Sequence, residues 1–283
     1  DELEAHLYGA EQSLFQFEDT ITLYDLTNTY FEGEARANPM AQRGHSKEKR
    51  SDCPLVTLGL VLDGSGFPRQ SRIFPGNAAE PATLNEMLDG LGAKPGTIVV
   101  LDAGIATEDN IAWLKQQGYR YLVVSRKRQR CFDDGEAVTV KETPRQRVRV
   151  QRVVDPQTGE VTLHCHSIER EKKEQAMQDR AAERFEQALQ KLSDGLPRPR
   201  TIKKVGKIME RIGRLKQQYG RAAQHYLIEV SEDEDSGNAT AITWKRQEKG
   251  GSQATHPGVY ALRTNIEDWD EETLWRTYTL LTD

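Results

Sequence analysis

Long apolar runs are missing from this chain of 283 residues. Nothing approaches the roughly 20 residues that span a bilayer, and no basic start followed by an apolar stretch marks a secretory leader. The reading is a soluble protein of the cytoplasm with no membrane partner. Cysteine is scarce, with three residues at 53, 131 and 165 and no short pair spacing, which excludes a disulfide scaffold and a Cys-rich zinc site. A basic surplus is also lacking. The formal net charge is −5, which on its face argues against a uniformly basic nucleic-acid binder. Hydrophobic residues are 36% and charged residues 29%, enough for a sizeable core beside a highly charged, solvated section.

What is present reads first as α/β. Ile21–Thr27 is rich in β-branched and aromatic residues. Leu55–Leu62 is an apolar run between Pro54 and Asp63-Gly64-Ser65-Gly66, and Gln70–Phe74 returns before Pro75-Gly76. Their short connections predict an antiparallel meander. A helix over Pro81–Leu91, a buried strand at Thr97–Leu101, a helix over Glu108–Gln117 and a strand at Tyr119–Ser125 complete the order β-β-β-α-β-α-β. The strand-helix-strand step needs a parallel crossover, so the sheet is mixed. After Ser125 the chain becomes charged and β-rich, with a hairpin around Asp155-Pro156-Gln157-Thr158-Gly159. Helices over Glu169–Leu192 and Thr201–Tyr219 predict a helical hairpin. Strands follow at Gln224–Val230, Ala239–Lys245 and Gly258–Thr264.

The charges are segregated. Residues 120–152 hold ten Arg and Lys against four acids, and residues 198–221 hold nine against Glu210 alone. Arg126, Lys127 and Arg128 follow the fifth strand. Lys203, Lys204, Lys207 and Arg211 recur at three- and four-residue steps along a helix, and Arg43 and Lys47 lie in a loop after the first strand. Each set fits phosphate contacts to DNA, and each also fits a solvated surface.

Asp25 stands among Leu23, Tyr24 and Leu26, where a carboxylate needs a partner. Asp102 ends the buried run Ile98-Val99-Val100-Leu101, the place where α/β folds present ligands. Either one alone fits a turn-capping Asp. Together, on neighbouring first and fourth strands, they make a hard-cation site suited to Mg²⁺ or Mn²⁺. His164-Cys165-His166 lacks two further zinc ligands at suitable spacing, and Trp244 and Trp269 fit base stacking or ordinary packing.

Four segments in order carry a resemblance: Tyr24-Asp25-Leu26-Thr27-Asn28-Thr29-Tyr30-Phe31-Glu32-Gly33, Arg43-Gly44-His45-Ser46-Lys47, Phe74-Pro75-Gly76-Asn77 and Leu101-Asp102-Ala103-Gly104-Ile105-Ala106. Together they resemble the catalytic domain of bacterial insertion-sequence transposases of the DDE class. The resemblance implies a ribonuclease-H-like fold in four parts. Residues 1–19 end an N-terminal segment, 20–125 begin the catalytic core, 126–257 are an α+β insertion with the helical hairpin, and 258–283 return to the core.

The same resemblance implies Asp25 and Asp102 as the first two catalytic, metal-binding acids, with two Mg²⁺ or Mn²⁺ ions in the intact enzyme. It implies transposon-end and target DNA as partners, and a homodimer on DNA. The third acid is a Glu seven residues after a Tyr; if Tyr278 is that Tyr, the Glu falls two positions beyond Asp283, and Leu281 stands where the family often has Arg. The chain starts at Asp1, and its last segment has helical spacing with no terminator. We therefore expect a fragment that is inactive in strand transfer, for which Glu267, Glu271 or Glu272 would be the nearby substitute acids. Two other readings compete: an aspartate-based phosphotransferase or phosphatase acting through Asp25, and a non-catalytic DNA-binding remnant.

Overall fold

The computed structural model describes residues 2–15, 21–45, 50–89, 91, 94–127, 129–247 and 250–281. Strand β1 (Ile21–Tyr30) pairs antiparallel with β2 (Leu55–Asp63), and β2 with β3 (Pro68–Pro75). This is the meander that the short connections predict. Helix α1 (Glu2–Phe15) lies over β3, where the Glu4 carboxylate accepts from the Ser71 N–H at 3.1 Å. Pro81 tightens the start of the next helix into a 3₁₀ turn, so α2 runs only over Thr83–Asp89.

Strand β4 (Ile98–Leu101) is buried at all four positions, as a central parallel strand should be. Helix α3 (Glu108–Gln116) carries the crossover. The Thr107 side chain caps its start by accepting from the Asn110 N–H, and Gly118 at φ +75° closes its end. Strand β5 (Arg120–Val124) then lies parallel to β4, which itself lies parallel to β1.

The sheet does not stop at β5. Strands β6 (Val138–Glu142), β7 (Arg147–Val154) and β8 (Val161–Ser167) continue it, followed by helices α4 (Ile168–Ser193), α5 (Val205–Gln218) and α6 (Gly220–Ala223). Strands β9 (Tyr226–Asp233) and β10 (Asn238–Arg246) form a separate two-stranded sheet. Strand β11 (Val259–Thr264) returns between β5 and β8, and α7 (Glu271–Thr279) follows. The resulting order is β3-β2-β1-β4-β5-β11-β8-β7-β6. Residues 126–257 thus divide: β6 to β8 share the main sheet, while α4 to α6 pack with β9 and β10 around Phe185, Leu189, Ile208, Ile212 and Ile242. Helix α5 starts four residues later than its periodicity predicts. The Lys203 carbonyl accepts from the Ala239 N–H and Lys204 bridges to Asn238, which holds that stretch extended.

Two cores sandwich the sheet. On one face Tyr24, Leu26, Phe74, Val99, Leu101 and Tyr121 pack against α2 and α3. On the other, Leu23, Ile98, Val100, Leu122, Leu163 and Leu262 pack against Leu274 and Trp275 of α7. A nearly buried Arg263 ties the layers: it bonds Glu160 at 2.6 Å and Glu108 at 2.5 Å, and the Tyr121 hydroxyl donates to Glu160 at 2.7 Å. Burial works to raise the Glu160 carboxyl, but Arg263 and Tyr121 outweigh it and hold the group below its ordinary value.

Candidate metal and nucleic-acid site

The register decides where the two acids stand. Tyr24 is level with Leu101 across the parallel β1–β4 pair, so Asp25 is level with Asp102 one residue on. Alternation puts Asp25 on the face of Leu23, and Asp102 on the face of Ile98 and Val100. Both are exposed. They therefore share a face on strands about 4.8 Å apart, where β1 runs on past the end of β4. The Asp102 carbonyl accepts from the Ile105 and Ala106 N–H groups, which fixes the turn that presents its side chain. Beneath Asp25, the Tyr24 hydroxyl donates to Thr83 at 2.7 Å; burial first, then the charge of Asp25, pushes its pKa up to about 12.

The other motif segments gather at the same end of β1. Phe74 is buried against Tyr24 and Leu26, and the Gly76 N–H donates to the Met40 carbonyl. A Cβ on Gly44 would sit 1.9 Å from the Gly76 oxygen, and one on Gly76 would sit 2.0 Å from the Leu55 oxygen. Only glycine permits these backbones to meet, so the segments around Arg43 and Phe74 lock together. Arg43 is exposed on this loop. Arg126 and Lys127, also exposed, leave the end of β5 on the same edge of the sheet as Asp102. Lys47 and Arg128 lie outside the described residues.

Helix α7 reaches the site from the far edge. Strand β11 is antiparallel to β5, so it ends beside the start of β5, where Asp268 pairs with Arg120 and the Glu267 carbonyl accepts from Arg152. Glu267, Glu271 and Glu272 therefore stand at or before the helix start, away from Asp25 and Asp102. This corrects the expectation that they would be nearby substitutes. The helix then runs back, and half-buried Tyr278 comes close to Asp102. Burial first, then the Asp102 charge, pushes the Tyr278 hydroxyl pKa up.

Lys207 and Arg211 stand elsewhere, on α5, whose Ile208 and Ile212 face the core formed with β9 and β10, while Lys203 and Lys204 lie in the extended stretch before the helix rather than on it. The Lys204 Nζ donates to the Ser236 carbonyl at 2.6 Å, and Lys207 pairs with Glu210 at 3.2 Å. Lys203 is half-buried and Arg211 exposed. The His and Cys residues of β8 make two separate pairs: His164 Nε2 lies 3.4 Å from Cys131 Sγ, and His166 Nε2 lies 3.0 Å from Glu171. Among the described residues no three His, Cys, Asp or Glu side chains converge as a metal site. Trp244 packs in the core that α4 to α6 form with β9 and β10, and Trp269 against the main sheet under Arg120, so both serve packing.

Residues 16–280 match the profile of the family described as Transposase DDE domain. This chain belongs to that family. No curated protein matches the domain. Among solved structures it is similar to a Mos1 transposase paired-end complex with the left transposon end, at 13% identity and a TM-score of 0.26, covering 42% of this chain and 39% of that one. It is also similar to a piggyBac transposase synaptic complex with hairpin DNA, at 8% identity and a TM-score of 0.28, covering 53% and 36%. The DDE domain thus spans less than half the length of each of these chains.

Sequence reasoning missed one cation at this edge of the DDE domain. Arg170, in the first turn of α4, stands over the Tyr260 ring next to Tyr278. No local signal marks it, because its place depends on β8 pairing with β11.

Proposed function

We propose that this domain is the catalytic core of a bacterial insertion-sequence transposase with a ribonuclease-H-like fold, cutting and joining DNA strands with divalent metal in the cytoplasm. One observation carries the reading: Tyr24 is level with Leu101 across the parallel β1–β4 pair, so the next residue of each segment is Asp25 and Asp102. Their hard oxygen donors fit Mg²⁺ or Mn²⁺, and these two residues would hold the ions. When bound, two such ions supply Lewis-acid stabilisation of the attacking water or 3′-hydroxyl and of the leaving oxygen.

The chain's own side chains position the substrate. Arg126 and Lys127 line the edge beside Asp102, and Arg43 belongs to the loop held by Gly44 and Gly76; by the resemblance Lys47 joins them. These cations, with Arg128, neutralise phosphates without reading sequence. Lys203, Lys204, Lys207 and Arg211 give a second contact, to DNA away from the reacting bond, and a homodimer on DNA brings two ends together.

Two carboxylates alone would hold divalent ions weakly, because each ion brings two positive charges and gives up water on binding, so strand transfer by Asp25 and Asp102 without a third acid is expected to fail. The aspartyl-phosphate reading needs an acid two residues after the nucleophile. Thr27 occupies that place, on the face of Asp25. Mn²⁺ titration of the wild type, Asp25→Asn and Asp102→Asn tests the proposal. Metal-independent, salt-sensitive DNA binding would favour the non-catalytic remnant, and a covalent acyl phosphate on Asp25 would favour the phosphotransferase.

A further inference from the structure

The first turn of α4 delivers a cation to the catalytic edge. Strand β8 is antiparallel to β11 and β11 to β5, so the end of β8, where α4 begins, lies at the same end of the sheet as Asp102. The Arg170 guanidinium stands 5.0 Å over the Tyr260 ring, and its Nε donates to Glu174 Oε1 at 3.0 Å. Glu174 is nearly buried and is itself gripped by Arg130 Nη1 at 2.8 Å and by the Gly258 N–H at 2.9 Å. Two guanidinium groups thus share one carboxylate, which leaves a positive charge uncompensated within the cluster. The side chain of Arg170 is 45% exposed, and its two Nη groups make no hydrogen bond among the described residues.

Across Tyr260 stands Tyr278, with ring centroids 6.4 Å apart, and the Tyr260 hydroxyl accepts from Trp275 Nε1 at 2.8 Å. Arg170 and Tyr278 thus stand against the same Tyr260 ring, at the end of the sheet where β4 leads into Asp102. A guanidinium already held by a carboxylate and an aromatic face loses little freedom when its remaining donors take a further partner. An open fork of two N–H donors fits a phosphate.

We propose that Arg170 is a substrate contact whose Nη groups hold a DNA phosphodiester beside the one placed at Asp25 and Asp102. This rests on the transposase reading above. Tyr260 and Glu174 act as positioning residues, because they aim the guanidinium. The long helix of the mid-chain segment thereby contributes directly to the catalytic edge, and Arg130 and Gly258, at the two ends of that segment, fix it there through Glu174.

The test uses the full 283-residue chain and a fluorophore-labelled DNA duplex, with affinity measured against salt concentration. The wild type gives a linear fall of log K with log salt. Arg170→Gln lowers the slope by about 0.9, one phosphate contact, and weakens binding about tenfold at low salt, measured well below the melting temperature of either protein because loss of the Glu174 pair also lowers stability. Arg170→Lys keeps the wild-type slope, since the charge remains. A wild-type slope in Arg170→Gln overturns the proposal. So does an equal loss in Arg170→Lys, which marks a role in packing. If the wild type itself shows no salt-dependent binding, the transposase reading falls and Arg170 with it, an outcome distinct from failure of the variant alone.

Discussion

Glu174→Ala is the sharpest probe of how the mid-chain segment is joined to the sheet. The carboxylate accepts from Arg130, Arg170 and the Gly258 N–H, and is 7% exposed. Truncation removes this acceptor from all three donors, leaving Arg130 Nη1 only the longer bond to the His256 carbonyl at 3.4 Å. Arg170 reaches water, whereas the Gly258 N–H stays buried and the Arg130 side chain is 17% exposed. A hydrogen bond to a charged group contributes about 1.5–3 kcal/mol, and breaking a buried ion pair from one side costs about 3–5 kcal/mol. The partial exposure of Arg170 argues for the lower end, about 3 kcal/mol. At about 2 °C per kcal/mol for a chain of this size, the melting temperature drops by about 6 °C.

The conservative Glu174→Gln keeps one acceptor oxygen and loses the charge, so it falls between Ala and wild type. Burial works to raise the Glu174 carboxyl, but Arg130, the Gly258 N–H and Arg170 outweigh it and hold it below the ordinary value of 4.5. Its stabilisation is therefore complete above pH 4.5 and is lost as pH falls through the lowered folded-state value. Urea unfolding followed by circular dichroism at pH 7 and at pH 3 checks both statements. An Ala variant as stable as the wild type at pH 7, or a deficit that grows as pH falls, would refute the clasp.

Three further outcomes follow from the same structure. Gly76→Ala puts a Cβ 2.0 Å from the Leu55 oxygen and is expected to lower stability by at least ~3 kcal/mol in urea unfolding. Gly213→Ala, in open space within α5, should instead raise it by about 0.5–1 kcal/mol. If α5 contacts DNA, Lys207→Gln with Arg211→Gln lowers the salt slope of duplex binding by about two, and an unchanged slope removes α5 from the interface.

Much of the core was legible along the chain, for local reasons. β2 and β4 are apolar runs ended by turn residues, and α3 carries its own cap at Thr107 and its stop at Gly118. The parallel β4–β5 pair followed from crossover logic, since the β4-α3-β5 step joins neighbouring strands through one helix. The extension of the sheet was not legible. β6 is only five residues long, and its alternation stops at Val138 and Val140 before Lys141 and Glu142, too short a pattern to mark a strand of the main sheet. The insertion of β11 between β5 and β8 is a long-range choice that no local pattern encodes, and with it go the direction of α7, the distance of Glu267, Glu271 and Glu272 from Asp102, and the position of Arg170.

The central claim is that Asp25 and Asp102 form one metal site. Mn²⁺ binding measured by electron paramagnetic resonance on the wild type, Asp25→Asn, Asp102→Asn and the double variant tests it most directly. Both acids are exposed, so the variants are expected to fold as the wild type does. For a shared site, each single variant weakens binding at least tenfold, about 1.4 kcal/mol, and the double variant is hardly worse than either. Wild-type Mn²⁺ affinity in either single variant, or losses that simply add, would contradict the account.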